Sequence, residues 1–217
     1  MPDVAPFRAD IVGAYAVVRQ QPDEGIPLLV SGRPLVTIKV KYQCVMDTYD
    51  KFLAVENSSF IVYEGAMSGT GGEPLFRYDY IRNPSSNIPG AHIQVHAHRD
   101  ALTYIMTQTG NATQRGKRRA RSTDVPRLSE IHFPVGGPRF RPCLEDLLEM
   151  LISELGVEST PEARESLRRG REAWRRKQIG AVVRDAPGEA VATLIELGYS
   201  IDGSNVNQDN TKKLRAL

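Results

Sequence analysis

Three of the chain's four histidines stand on one short stretch, AHIQVHAHRD (91–100), and the fourth is His132. In an extended strand, side chains two residues apart point the same way. His92, Gln94, His96 and His98 therefore share one face, and Ala91, Ile93, Val95 and Ala97 share the other, which marks the core side. Three readings of the histidine face compete. It is a plain polar strand face packed under a loop or helix. It is a metal site, since an HxH pair places its Cβ atoms roughly 6.6 Å apart, with a third ligand from His92, His132, Asp79 or Glu130. Or it is a metal-free acid–base centre, in which one imidazole takes a proton from a phosphodiester substrate and another returns one, because imidazole titrates near neutrality. The acid–base set is His92, His96, His98 and His132, with Asp79.

Two neighbouring segments must supply the rest of such a site. FRYDYIR (76–82) offers Arg77 and Asp79 on one face, and SEIHFPV (129–135) offers Glu130 and His132. Whether they meet the histidines depends on register, because a slip of one residue flips every side chain to the other face.

A second constellation is HFPVGGPRFRPCLEDLLEML (132–151). A strand ends at Gly136 and Gly137, Arg139 and Arg141 follow, and a helix begins at Pro142. Flexible backbone, two guanidiniums and a helix N-terminus suit a phosphate, with Arg77 as a further candidate. Against this, Glu145 and Asp146 already occupy the positive end of the helix and compete with an anion. The stretch is neither a Walker A loop nor a dinucleotide fingerprint, and nothing else in the sequence identifies a cofactor. Cys143 reads as a packed residue at a helix start.

Basic residues gather in two further places. RGKRRAR (115–121) carries Arg115, Lys117, Arg118, Arg119 and Arg121, and ARESLRRGREAWRRK (163–177) carries seven more. Such runs neutralise nucleic-acid phosphates in a salt-dependent way. They point to RNA or DNA, or to a cognate protein partner with an acidic surface; each is also an ordinary solvated face. Arginine outnumbers lysine 21 to 7, which suits bidentate phosphate contacts, although a GC-rich genome produces the same bias. The net charge of +2 makes no whole-protein argument for nucleic acid.

The elements that must hold these groups follow from periodicity. Phe7, Ile11, Val12, Tyr15 and Val18 recur at helical spacing and predict a helix over 5–20. Residues 35–47 alternate, with Ile38, Val40, Tyr42 and Cys44 opposite Lys39, Lys41 and Gln43, which predicts a half-buried strand. Residues 51–64 read as a second strand, or two with a turn at Asn57–Ser58. Segments 68–74 and 84–90 read as a loop and a turn, and 75–83 and the histidine strand complete an antiparallel meander. A helix follows over 101–110, then a mobile loop over 111–124 and a strand over 127–135. Leu144, Leu147, Leu148, Leu151 and Leu155 form the stripe of the clearest helix, closed by Gly156. Thr160 caps the next helix, and Pro187 opens a last one ended by Gly198.

Strands first and helices after predict an α+β fold: an antiparallel β-sheet meander packed by helices, with a helical C-terminal part. The division expected is an α+β domain over 1–158, a helical part over 159–199 and a polar, flexible tail over 200–217. Cys44 and Cys143 make neither a disulfide framework nor a CxxC pair, so a reduced, cytoplasmic setting is expected. MPDVAPFRAD lacks the pattern of a signal peptide, and no apolar run approaches the roughly 18 residues of a membrane span, so no membrane association is expected.

FRYDYIRN, then IPGAHIQVHAHRD, then LSEIHFP resembles the TumE-type toxins of bacterial toxin–antitoxin pairs, with a tyrosine-rich strand before a short proline- and histidine-rich stretch. The resemblance covers 75–100. It implies a small intracellular toxin acting on RNA, with His96 and His98 at the matching positions. Together these readings make the leading expectation a nucleic-acid-directed protein, an RNA-cleaving toxin or defence enzyme. The alternative is a non-catalytic binding or assembly module, and the third is a metal-dependent hydrolase.

Overall fold

The computed structural model describes residues 6–47, 52–66, 72–84, 88–97, 100–108, 114–119, 121–135 and 137–215. The loops expected at 68–74 and 84–90 fall largely outside these residues. The fold is α+β. Eight strands form one antiparallel sheet: β1 (Phe7–Val12), β2 (Tyr15–Gln20), β3 (Ile26–Val30), β4 (Arg33–Met46), β5 (Leu53–Glu64), β6 (Phe76–Ile81), β7 (Ala91–Val95) and β8 (Phe133–Pro134). Their order is β1-β2-β4-β5-β6-β7-β8, and β3 also pairs with β4. Helices α1 (Asp100–Gln108) and α2 (Gln114–Arg119) lie between β7 and β8. The C-terminal part holds α3 (Gly137–Phe140), α4 (Leu144–Leu155), α5 (Pro161–Asp185), α6 (Pro187–Glu196) and α7 (Thr211–Leu214). Among the described residues no helix is long and apolar enough to cross a membrane.

The long central pair β4–β5 sets the core. Ile38 faces Val62 and Val40 faces Phe60, and β6 continues the row with Phe76 and Tyr78. Helix α4 lays Leu147, Leu151 and Ile152 onto that row, closing a cluster with Val36, Ile38, Val40, Phe60, Val62 and Val157. The leucine stripe is therefore seated as its spacing required, with Leu155 at its exposed margin. Gly156 closes α4 in the left-handed region at φ 71, and Thr160 Oγ1 accepts from Ala163 N at the start of α5.

Four expectations are corrected. Residues 7–20 form a β1–β2 hairpin, not a helix. The turn is the two residues Gly13–Ala14, with Gly13 at φ 60, a conformation that tight hairpin turns assign to glycine; the flanking β-branched and aromatic residues suit a pleated surface better than a helix. Asn57–Ser58 is no turn: β5 is continuous, Gln43 faces Asn57 and Cys44 faces Val55, so Glu56 is an extra, bulged residue. The stretch 111–124 contains α2. Only Phe133–Pro134 of 127–135 joins the sheet, because Leu128–Glu130 is a 3-10 turn in which Glu130 accepts from Arg127 N at 2.9 Å, and Pro134 has no N–H to extend the ladder. In the C-terminal segment Asn210 N donates to Asp185 O at 2.7 Å and Gly188 N donates to Asp209 Oδ1 at 3.0 Å.

Candidate functional site

Pairing of β6 with β7 sets Asp79 opposite His92 and Arg77 opposite Gln94. That is the register the histidine cluster needs, and it places all four on the sheet face away from α4. Asp79 is satisfied from two sides, with Ser59 Oγ donating to Oδ1 at 2.7 Å and Arg77 Nε 2.9 Å from Oδ2, while His92 Nε2 stands 3.8 Å from Oδ2. The last is beyond hydrogen-bonding distance. Gln94 accepts from Arg77 Nε and donates to Ser129 O at 2.6 Å.

His132 does join this face, with its ring centroid 4.6 Å from that of His92. Its Nδ1 lies 3.1 Å from Glu130 O, a pure acceptor, so Nδ1 carries the proton and Nε2 accepts from Gln94 Nε2 at 3.1 Å. By the same reasoning His92 Nδ1 donates to Pro89 O at 2.9 Å. His92 is 2% exposed. A general acid or base must touch its substrate, which the burial of His92 opposes; the two rings form the seam between the sheet and the segment 127–134, with His132 half-buried. His92, His132 and Asp79 thus come together, but as a closed structural network.

His96 lies one residue past β7. Its Nδ1 is 3.1 Å from Glu73 Oε1, and that hydrogen bond first of all holds the Glu73 carboxyl below its ordinary value. Its Nε2 is shut off from solvent and has no hydrogen-bond partner among the described residues. His98, the second half of the expected pair, lies outside the described residues. Among the described residues no group of three His, Cys, Asp or Glu side chains is placed to hold a metal ion.

The basic run 115–121 is attached to this same side. Arg119 Nε reaches Glu130 Oε2 at 3.0 Å, the residue that also caps the 3-10 turn. Thr103 Oγ1 donates to Pro126 O at 3.0 Å, tying α1 to the following chain. Lys117, Arg118 and Arg121 remain exposed, and Arg115 is on the same helix. Arg127 is 71% exposed and touches Glu73 at 3.5 Å. Glu73 thereby links His96 to the basic segment.

The glycine–arginine stretch goes elsewhere. Gly136 lies outside the described residues, and Gly137 opens the four-residue helix α3. Arg139 Nε donates to Asp185 Oδ2 at 2.6 Å, and Lys213 Nζ reaches Oδ1 at 3.1 Å. Burial opposes the charge on Asp185, but these two cations outweigh it and hold the carboxyl below its ordinary value. Arg141 lies 3.6 Å over the Tyr80 ring and 4.7 Å from that of Trp174; burial pulls its pKa down to about 10. Tyr80 is on the α4 side of the sheet and Arg77 on the other, so the sheet itself separates Arg77 from Arg141. Of the expected phosphate clamp, Arg139 and Arg141 border one groove, while Arg77 lies on the opposite face of the sheet. A cavity of about 290 Å³ beside Arg141 is lined by Tyr42, Glu145, Trp174 and Lys177. Cys143 borders it, but burial pushes its thiol up to about 12, far from a reactive thiolate.

Sequence reasoning missed this second cavity, Trp174 and Tyr80 included. The available signal was a single tryptophan set among arginines on a helix. No protein-family model, curated protein or solved structure matches the chain.

Proposed function

We propose that this protein binds the phosphate backbone of nucleic acid through the segment 114–127, as a binding module without an acid–base centre. The observation that carries the reading is four exposed cations, Lys117, Arg118, Arg121 and Arg127, on a segment fastened to the sheet by Arg119–Glu130 and Gln94–Ser129. Exposed guanidiniums held on a fixed scaffold neutralise phosphates without reading bases. The resemblance of 75–100 to TumE-type toxins points to RNA as the polymer. Burial of His92, and of His96 Nε2, favours binding over cleavage.

Labelled total RNA incubated with the purified protein, with and without EDTA and beside His96→Ala, tests the reading. The expected result is RNA retarded in native gels and intact in denaturing ones. Cleavage abolished in His96→Ala and indifferent to EDTA would replace this reading with acid–base catalysis. Absence of retardation at low salt would overturn nucleic-acid binding altogether.

A further inference from the structure

On the other side of the sheet, α5 carries an apolar stripe that nothing among the described residues covers. Ile179 is 61% exposed, Val183 is also exposed, and Phe140 of the short helix α3 stands beside them 74% exposed. With Trp174 and Val182 they line a groove of about 370 Å³ between α3 and α5. Trp174, Gln178 and Val182 are spaced i, i+4, i+8, with Arg175, Ile179 and Val183 one residue on. This is the ridge pattern that receives another helix. From Trp174 to Val183 the stripe runs about 13 Å, or two and a half turns. Gln178 Oε1 is buried in this groove and has no hydrogen-bond partner among the described residues.

The rim decides which occupant. Arg139, Arg141 and Arg175 border the groove, against Asp146 as the acid in its lining. Arg139 is matched by Asp185, while Arg175 is largely exposed and only 3.8 Å from Asp146, which Arg171 already holds at 2.8 Å. A second copy of the chain would set these arginines against their own counterparts. A nucleic acid would find aliphatic Ile179, Val182 and Val183 where bases need aromatic faces, and the Trp174 ring is already beside Arg141. We infer that the α3–α5 groove is the docking site for an acidic amphipathic helix of a partner protein. Apolar residues of that helix pack on Ile179, Val183 and Phe140, its carboxylates face Arg175 and its neighbours, and complementary charge fixes orientation and speeds association. This surface is separate from segment 114–127 and does not depend on it.

Trp174 is the chain's single tryptophan, so its fluorescence reports the groove directly. Two synthetic peptides of about 14 residues, about four turns, serve as probes. Both carry leucine at i, i+3, i+4 and i+7, and the other positions are glutamate in one and lysine in the other. The full-length protein is titrated with each, with a single-stranded RNA oligonucleotide and with anionic phospholipid vesicles. Expected are a saturable shift with the glutamate peptide, none with the other three, and affinity reduced roughly tenfold or more by Ile179→Glu and by Arg175→Glu. Both positions are exposed, and unchanged circular-dichroism melts confirm that the variants fold. Arg118→Ala/Arg121→Ala is expected to bind the peptide unchanged. The inference is overturned if the glutamate peptide gives no saturable shift, if the lysine peptide, RNA or vesicles compete with it equally, or if Ile179→Glu leaves the affinity intact. It is also overturned if sedimentation shows a dimer that Ile179→Glu dissolves.

Discussion

If segment 114–127 grips phosphates, removing Arg118 and Arg121 together should change the salt dependence of binding by a calculable amount. Among its described side chains the segment presents four exposed cations, Lys117, Arg118, Arg121 and Arg127. Arg119 is not counted, since Glu130 holds it at 3.0 Å. Arg127 is counted, because an exposed pair at 3.5 Å to Glu73 contributes little and is readily exchanged. Each neutralised phosphate releases about 0.7 of a counterion on single strands and about 0.9 on duplex. Four contacts then give a slope of log K against log salt of about −2.8 for single-stranded RNA and about −3.6 for duplex DNA. Arg118→Ala/Arg121→Ala should halve the RNA slope to about −1.4 and weaken binding at about 0.1 M salt by roughly 25-fold relative to the 1 M extrapolation. Fluorescence polarisation of an end-labelled oligonucleotide over a salt series reads both quantities. Arg168→Ala/Arg169→Ala, on α5 across the sheet, serves as the matched control and should leave the slope unchanged. A slope insensitive to the first double variant, or lowered equally by the second, would refute the assignment and leave general charge as the explanation.

Two stability predictions follow from the packing and the tail. Leu151→Ala, at a fully buried position in the α4–sheet core, should lower the unfolding free energy by about 3–5 kcal/mol, read from urea melts; a loss below about 1 kcal/mol would mean α4 is not seated on that row. Asp185→Ala removes the anchor of Arg139 and Lys213 and should cost about 1–3 kcal/mol, with faster proteolysis after residue 200. Since the folded carboxyl sits below its ordinary value, its contribution is complete above the unfolded value of roughly 3.9 and fades as pH falls through the folded one. The tail should therefore stay protected at pH 5 to 7, and protection lost already within that range would contradict the pairing.

How legible all this was differs with the length of the pattern. The alternation of 35–47 and the leucine stripe of 144–155 were decisive because every residue agreed with its neighbours, and burial on one face leaves no second register. Residues 7–20 misled because five apolar positions fitted a helical period, while Gly13–Ala14, the residues that fix the hairpin, occupy only two places. His92 and Gln94 share one face of β7, and Asp79 and Arg77 stand opposite them on β6. What the sequence did not reveal was the cover. Segment 127–134 closes over His92 with the help of Gln94, whose two hydrogen bonds to that segment, with Ser129 O and His132 Nε2, are long-range and carry no local signature. Arg77 and Arg141 looked alike in sequence; strand parity on β6, with Arg77 on one side and Tyr80 on the other, puts them on opposite faces.

The closed histidine seam has a physical purpose in the binding reading. Lys117, Arg118, Arg121 and Arg127 repel one another, and α2 has only six residues, too few to hold a helix in water on its own. Such a segment presents its charges in a fixed array only if something else holds the chain. The hold comes from groups that are uncharged or already matched: Gln94 on Ser129, His132 between Gln94 and Glu130, Thr103 on Pro126, and Arg119 on Glu130. The His92 and His132 rings, with centroids 4.6 Å apart, add packing to that hold. The same residues that first suggest proton transfer are thus accounted for by the need to fasten a strongly basic segment to a sheet.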